Sequence, residues 1–241
     1  MSDFILIHGG WHGGWCWRKV ANQLRSQGHE VFTPTLTGMG EREHLWTPEV
    51  GLMTHTQDIL NLIRVEQLDD AILVGHSYGG TIMTLVADQI PSKLGALVYV
   101  DAVIPEDGVP GWDSFPDQRK KDMLAGAEKL GGLRVPPPDP AIWGVTNADD
   151  AAWLRACCSP HPIKSMYDAP RPTQAWQAVR IKHYILAGAH TNPRFLAHYT
   201  AVQNQSGWTS EVITGGHDLM VTEPKALSES LQRVATISSG F

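Results

Sequence analysis

The run Gly75-His76-Ser77-Tyr78-Gly79 places a serine two residues from a glycine on each side. A serine hydroxyl is a weak nucleophile; it needs a base beside it and a backbone that lifts it clear of its neighbours. The flanks supply that backbone: apolar Ala71-Ile72-Leu73-Val74 reads as a strand, and helical spacing runs from Tyr78 to Ile90. A strand that turns sharply into a helix brings the positions two before and two after the serine into collision, so both must be small. The same turn aims the positive end of the helix at the reacting centre. A glycine-rich turn matching by chance would lack the flanking strand and helix. The base is sought past the last strand, because in an open α/β sheet the site lies beyond the carboxyl ends of the strands. There Thr214-Gly215-Gly216-His217-Asp218 follows the expected last strand Glu211-Val212-Ile213, and His217 stands out on position among eleven histidines. Donors for a developing oxyanion are expected from the Tyr78 N–H and, in the glycine-rich loop His8 to Gly14, from the Gly10 N–H. The chemistry implied is acyl transfer through a covalent serine intermediate.

Those residues need a sheet to hold them. Short apolar runs alternate with amphipathic stretches, the pattern of an α/β fold with a mostly parallel central sheet and helices on both faces. Strands are expected at Phe4–Ile7, Glu30–Thr33, Ala71–Val74, Ala96–Val100, His183–Leu186 and Glu211–Ile213. Helices are expected near Arg18–Ser26, Met53–Val65, Tyr78–Ile90, Gln118–Leu130, Asp149–Cys157 and Glu223–Val234. Residues 105–172 hold most of the prolines and little strand signal, so they read as a helical cap inserted into a core of 1–104 and 173–241. The cap carries Trp112, Trp143 and Trp153. Trp143 and Trp153, with Trp11 and His12 beside the oxyanion loop, are the expected substrate-binding residues.

Composition narrows the partners. With 241 residues, 42% apolar and 18% charged, the chain can bury a sizeable core. A net charge of −6 without a basic cluster argues against nucleic acid. No run reaches 18 apolar residues, so no membrane span is expected. The opening apolar run is short and lacks a basic flank, unlike a signal peptide. The three cysteines, Cys16, Cys157 and Cys158, are odd in number and two are adjacent, which argues against a disulfide framework and for a cytoplasmic location. His8 and His12 are spaced like zinc ligands but lack the helix and glutamate of such a site; no metal and no organic cofactor is expected. The expected partner is a small-molecule ester, and exposed cap tryptophans would permit a homodimer.

Three segments carry a family resemblance: His8-Gly9-Gly10-Trp11-His12-Gly13-Gly14-Trp15-Cys16-Trp17, Gly75-His76-Ser77-Tyr78-Gly79-Gly80 and Gly215-Gly216-His217-Asp218. They resemble the α/β-hydrolase superfamily group that includes plant methyl-ester hydrolases and hydroxynitrile lyases. The resemblance to its bacterial esterase-like members is closer, through Gly38-Met39-Gly40-Glu41-Arg42-Glu43-His44-Leu45 and the stretch Tyr99 to Gly108. It implies a serine esterase with a catalytic triad and an oxyanion hole. One departure matters: the usual acid follows the next-to-last strand, and here that loop reads Gly188-Ala189-His190-Thr191-Asn192-Pro193, with no Asp or Glu between Asp168 and Glu211. Either Asp101, at the end of the strand Val98-Tyr99-Val100, supplies the acid, or the chain runs on a Ser–His dyad; Asp101 is preferred over Glu106 and over Asp218, which should point away from the base. The lyases of this group carry Thr after the first loop His and Lys after the catalytic His; Gly9 and Asp218 stand there, against a cyanohydrin lyase. A small-molecule receptor with a relic triad is the reading from another class. Dehalogenase or epoxide hydrolase chemistry would need Asp in place of Ser77.

Overall fold

The computed structural model describes residues 1–190, 192–238 and 240. Its centre is a parallel sheet of β1 (Asp3–Ile7), β2 (Glu30–Phe32), β3 (Ala71–His76), β4 (Leu94–Val100) and two later strands, β7 (Ile181–Ala187) and β8 (Trp208–Ile213). Their order is β2-β1-β3-β4-β7-β8. The chain starts inside the sheet, steps outward to β2, then returns past β1 to β3 and builds toward β8. The order therefore reverses between β1 and β3, where a ligand crevice forms in sheets of this kind.

Helices cover both faces: α1 (Arg18–Ser26), α2 (Leu52–Val65), α3 (Gly79–Gln89) and, at the end, α9 (Pro224–Ser238). With both faces covered, β3 and β4 are buried at every residue and read as unbroken apolar runs. The alternation survives in which face each residue takes. Phe4, Leu6, Ile72, Val74 and Val98 join an apolar cluster with residues of α1 and α9. Ile5, Ile7, Leu73, Leu97 and Tyr99 join the opposite cluster with residues of α2 and α3. Successive side chains of a strand point to opposite faces, and each face has its own core.

Between β4 and β7 the chain forms the cap region: α4 (Asp117–Glu128), a two-stranded antiparallel ribbon of β5 (Arg134–Val135) and β6 (His161–Pro162), α5 (Ala148–Cys157), which lies between those two strands in the chain, and α6 (Ile163–Tyr167). Met123, Val135, Trp143, Leu154 and Ile163 of the cap belong to the same apolar cluster as α1 and α9, so the cap is packed into one face of the core. Two further helices, α7 (Pro193–Val202) and α8 (Leu219–Thr222), follow β7 and β8. Among the described residues no helix is long and apolar enough to cross a membrane.

Candidate active site

The carboxyl ends of β1, β3, β4, β7 and β8 each deliver one piece of chemistry to the same edge of the sheet. Ser77 follows β3 with a backbone φ of +52°, in the left-handed region that a residue with a Cβ rarely adopts. That conformation costs on the order of 1–3 kcal/mol and persists only where the surroundings enforce it. They do: the Ser77 N–H donates to the Val100 carbonyl at 3.3 Å, and the Ser77 carbonyl accepts from Gly80 and Val103, each at 3.1 Å. The flanking glycines are required by close approach. A Cβ on Gly75 would lie 2.7 Å from the Gly79 carbonyl oxygen, and one on Gly79 would lie 2.6 Å from that of Ile7.

His217 follows β8. Its Nδ1 lies 2.6 Å from Asp101 Oδ2, and both side chains are buried. Its ring stacks on Phe195 of α7, with centroids 5.0 Å apart and planes 14° apart. The His217 N–H donates to the Trp143 carbonyl at 2.7 Å, so the cap holds the histidine backbone. Asp101 follows β4 with a φ of +41°. Its N–H donates to the Ile185 carbonyl at 2.7 Å, and its Oδ1 accepts from the Ala187 N–H at 3.1 Å. Burial alone would raise the Asp101 pKa. Hydrogen bonds from His190 and His217, the charge interaction with His217 and the Ala187 N–H outweigh it and hold the carboxyl down at about 2. An ionised Asp101 can only accept, so His217 carries a proton on Nδ1, which leaves Nε2 as the ring nitrogen not engaged by the carboxylate. No hydrogen bond joins the Ser77 hydroxyl to a described residue; such contacts commonly tighten only when substrate binds.

The Gly10 and Tyr78 N–H groups have no acceptor among the described residues. Both are therefore free to receive an oxyanion, the second at the start of α3. The Tyr78 hydroxyl donates to His55 Nδ1 at 2.8 Å while His55 Nε2–H donates to the Thr37 carbonyl at 2.9 Å, and this fixes the side chain next to Ser77.

Trp11 has a φ of +66°; its indole N–H donates to the Val135 carbonyl of the cap at 3.0 Å, and its ring lies 6.1 Å from that of Trp143. His12 is buried beneath the loop. Its Nδ1 lies 2.7 Å from the Gly10 carbonyl and its Nε2 3.2 Å from Asp218 Oδ2. Both partners are acceptors, so both nitrogens carry protons and His12 is an imidazolium. Burial opposes that charge, but the Asp218 carboxylate prevails and moves the His12 pKa up. Asp218 is correspondingly held low: burial raises it, and the His12 charge and hydrogen bond, with smaller contributions from His76 and His217, lower it further. Asp218 thus faces His12 and His76 rather than His217 Nδ1. Trp153 lies outside this group, its ring 5.1 Å from Trp15 with Arg18 and Lys19 over it.

His76 is buried between the two acid–base pairs, 4.5 Å from the His217 ring. Its Nε2–H donates to the His217 carbonyl at 3.1 Å. Burial, reinforced by His217, keeps its pKa well below the usual imidazole value, so it is a neutral support. His8 uses Nδ1–H on the Gly9 carbonyl and accepts from the Leu36 N–H, and burial drives its pKa to about 3. The His8–His12 spacing is thus spent on holding the loop. Among the described residues two donor groups are compact enough for a cation, Asp101 with His190 and His217, and His76 with His217 and Asp218. In the first, the imidazole N–H groups already satisfy the carboxylate. A cleft of about 450 Å³ between α2, α3 and residues 164–173 includes none of these residues.

Sequence reasoning missed His190, whose Nδ1 lies 2.9 Å from Asp101 Oδ2. No local signal marks it, because its contact with Asp101 depends on how β4 pairs with β7. It also missed Phe195 and His161. The latter accepts from the Trp11 N–H at 3.4 Å and donates to Ser165 Oγ at 2.7 Å, which ties the loop after β1 to β6.

A sequence profile described as "Alpha/beta hydrolase family" matches residues 4–230. The chain is 39% identical over 241 residues to the carbendazim hydrolyzing esterase of Nocardioides sp., covering 96% of this chain and 98% of that protein. It is 35% identical over 168 residues to methylesterase 9 of Arabidopsis thaliana, covering 69% of this chain and 61% of that protein. An extracellular α/β-hydrolase from a Paenibacillus species has a similar structure, with a TM-score of 0.81 at 24% identity, covering 97% of this chain and 99% of that one. That relative corrects the expectation of a cytoplasmic location. The fold is held by an apolar layer on each side of the sheet, so unpaired cysteines say nothing about the compartment.

Proposed function

The chain belongs to the alpha/beta hydrolase family, and on that premise we propose that this carboxylic ester hydrolase works through Ser77 as nucleophile, His217 as base and Asp101 as the acid that orients the base. The observation that carries the assignment is the 2.6 Å contact of His217 Nδ1 with an ionised, buried Asp101 on the sheet edge that presents Ser77. His217 Nε2 takes the Ser77 proton as Oγ attacks the ester carbonyl, and Asp101 stabilises the imidazolium that forms. The carbonyl oxygen becomes an oxyanion held by the Gly10 and Tyr78 N–H groups; each such donor contributes roughly 10²–10³ in rate in related machinery. The imidazolium protonates the leaving alcohol. Water, activated by the same nitrogen, then releases the acid from the Ser77 ester.

Trp11 and Trp143 form the apolar wall assigned to the acyl or aryl group, and His12 supports the oxyanion loop from beneath. The relatives that act on carbendazim and on methyl esters favour a small ester with a small alcohol leaving group. A cyanohydrin lyase is disfavoured because Asp218, where those lyases carry Lys, is fully buried on His12.

The test is pre-steady-state hydrolysis of a p-nitrophenyl ester series, followed by a small methyl ester and carbendazim. A burst of about one p-nitrophenol per enzyme, absent in Ser77→Ala, supports the assignment. Turnover retained by Ser77→Ala, or saturable binding without turnover on every ester, overturns it.

A further inference from the structure

The acid of the site is shared. His190 Nδ1 reaches Asp101 Oδ2 at 2.9 Å, and His217 Nδ1 reaches the same oxygen at 2.6 Å. The two imidazole rings lie 4.7 Å apart with planes at 38°. The loop that carries His190 is fixed against both partners: Gly188 N–H donates to the Ile213 carbonyl at 2.8 Å, and Ala189 N–H donates to the Gly215 carbonyl at 2.9 Å, two residues from His217. Ala187, one turn back, supplies the N–H on Asp101 Oδ1, and the His190 N–H closes that turn on the Ala187 carbonyl at 3.1 Å. His190 also packs on Phe195, the ring that stacks on His217. This histidine is therefore built into the site and partly open to solvent, its side chain 17% exposed.

We propose that His190 is a positioning residue for the ester hydrolysis: its Nδ1–H fixes Asp101 in the rotamer that faces His217 and, as a second donor on Oδ2, limits the negative charge that oxygen presents to the base. The proposal rests on the roles assigned to Ser77, His217 and Asp101. The physical argument is competition. A carboxylate oxygen that accepts two N–H bonds has less electron density for either than one that accepts a single bond. His190 thereby steadies the acid while moderating the pull that Oδ2 exerts on the His217 imidazole.

The other groups that face His217 are accounted for. His76, at the end of β3, is neutral and bonded to the His217 carbonyl. Asp218 is engaged by His12 from the β1 loop. From α7 the neighbour is the uncharged Phe195. Asp101 and His190 are the two groups on the Nδ1 side.

The experiment is the pH profile of kcat/KM for p-nitrophenyl acetate hydrolysis by wild type, His190→Ala and His190→Asn, with Ser77→Ala as the inert control and circular dichroism to establish folding. Asn places an amide N–H close to where Nδ1 stands. In His190→Ala, kcat is expected to fall about tenfold, and the acid limb to move to higher pH by roughly half a unit. His190→Asn restores both. A structural contribution alone would loosen Asp101 and move the acid limb down or leave it in place; either outcome overturns the proposal, as does a His190→Asn variant no better than Ala. If Ser77→Ala keeps its activity, the serine mechanism fails instead, and the two failures are told apart by that control.

Discussion

Replacing Asp101 by Asn separates the charge of the acid from its shape, and the hydrogen bonds around it predict which way the amide will turn. Three N–H groups point at the carboxylate: His217 and His190 at Oδ2, and the backbone of Ala187 at Oδ1. The imidazoles can each exchange donor for acceptor by moving a proton between ring nitrogens, but the Ala187 amide can only donate. In Asp101→Asn the side-chain oxygen must therefore take the Oδ1 position, and the NH2 group the Oδ2 position. Its two hydrogens then meet the Nδ1 lone pairs of both histidines, and every polar group is satisfied. The backbone is content too, since Asn tolerates a φ of +41° as Asp does. The variant should fold. Its His217, however, now carries its proton on Nε2 and cannot accept one from Ser77. A wrong tautomer with intact geometry costs about 10⁴ in kcat, or roughly 5.5 kcal/mol of transition-state stabilisation. The assay is steady-state p-nitrophenyl acetate hydrolysis beside a thermal melt. A variant that is folded and retains more than about a tenth of wild-type kcat would refute the reasoning, because it would mean that Asp101 does not set the His217 tautomer.

Three further outcomes follow from the same geometry. His12→Ala leaves Asp218 buried and unpaired, which should destabilise the fold by about 3–5 kcal/mol in chemical denaturation. The wild-type stability–pH curve should carry the same pair. The raised His12 contributes fully below the ordinary imidazole value of about 6.5 and is lost as pH rises through its folded value; the lowered Asp218 contributes above about 3.9 and is lost as pH falls, so thermal melts across pH should show loss on both sides. Gly216→Ala would put a Cβ 2.5 Å from the Trp143 carbonyl oxygen, the acceptor of the His217 N–H, so the cap must shift; kcat should fall by more than tenfold with a stability loss of about 1–3 kcal/mol, read by kinetics and melting together.

The sheet was legible chiefly through its inner strands, since β1, β3 and β4 are compact runs buried on both faces, whereas the edge strand β8, Trp208–Ile213, is half polar and only its last residues carry an apolar signal. Ser77 and His217 were legible because local signals place them: a glycine spacing for one, a strand end for the other. Helix α7 escaped, although Asn192 caps it through a 3.0 Å bond to the Arg194 N–H and Pro193 stands at its first position, both ordinary start signals. The β5–β6 pair could not be read, since two-residue strands have no period and α5 separates them in the chain. His190 was out of reach for a different reason. Its contact with Asp101 depends on the pairing of Tyr99 with Tyr184 and of Val100 with Ile185, and register between parallel strands is a tertiary property.

That register also explains how an acid can stand at the end of β4. Because β4 and β7 are neighbours, the residue after one strand and the loop after the other border the same space beside His217, and a carboxylate on either can reach Nδ1. The β4 position imposes a second demand. The Asp101 N–H is drawn to the Ile185 carbonyl and the Val103 N–H to the Ser77 carbonyl, so the chain must turn at once and residue 101 takes a positive φ. Asp accepts that region more readily than Glu, whose longer side chain finds no compensating local hydrogen bond there. The side chain that tolerates the turn is also short enough to be pinned by Ala187 and His190 while it meets His217. On the proposed assignment one residue type satisfies the backbone and the chemistry together, and the loop after β7, which carries no acid, places His190 on the same carboxylate.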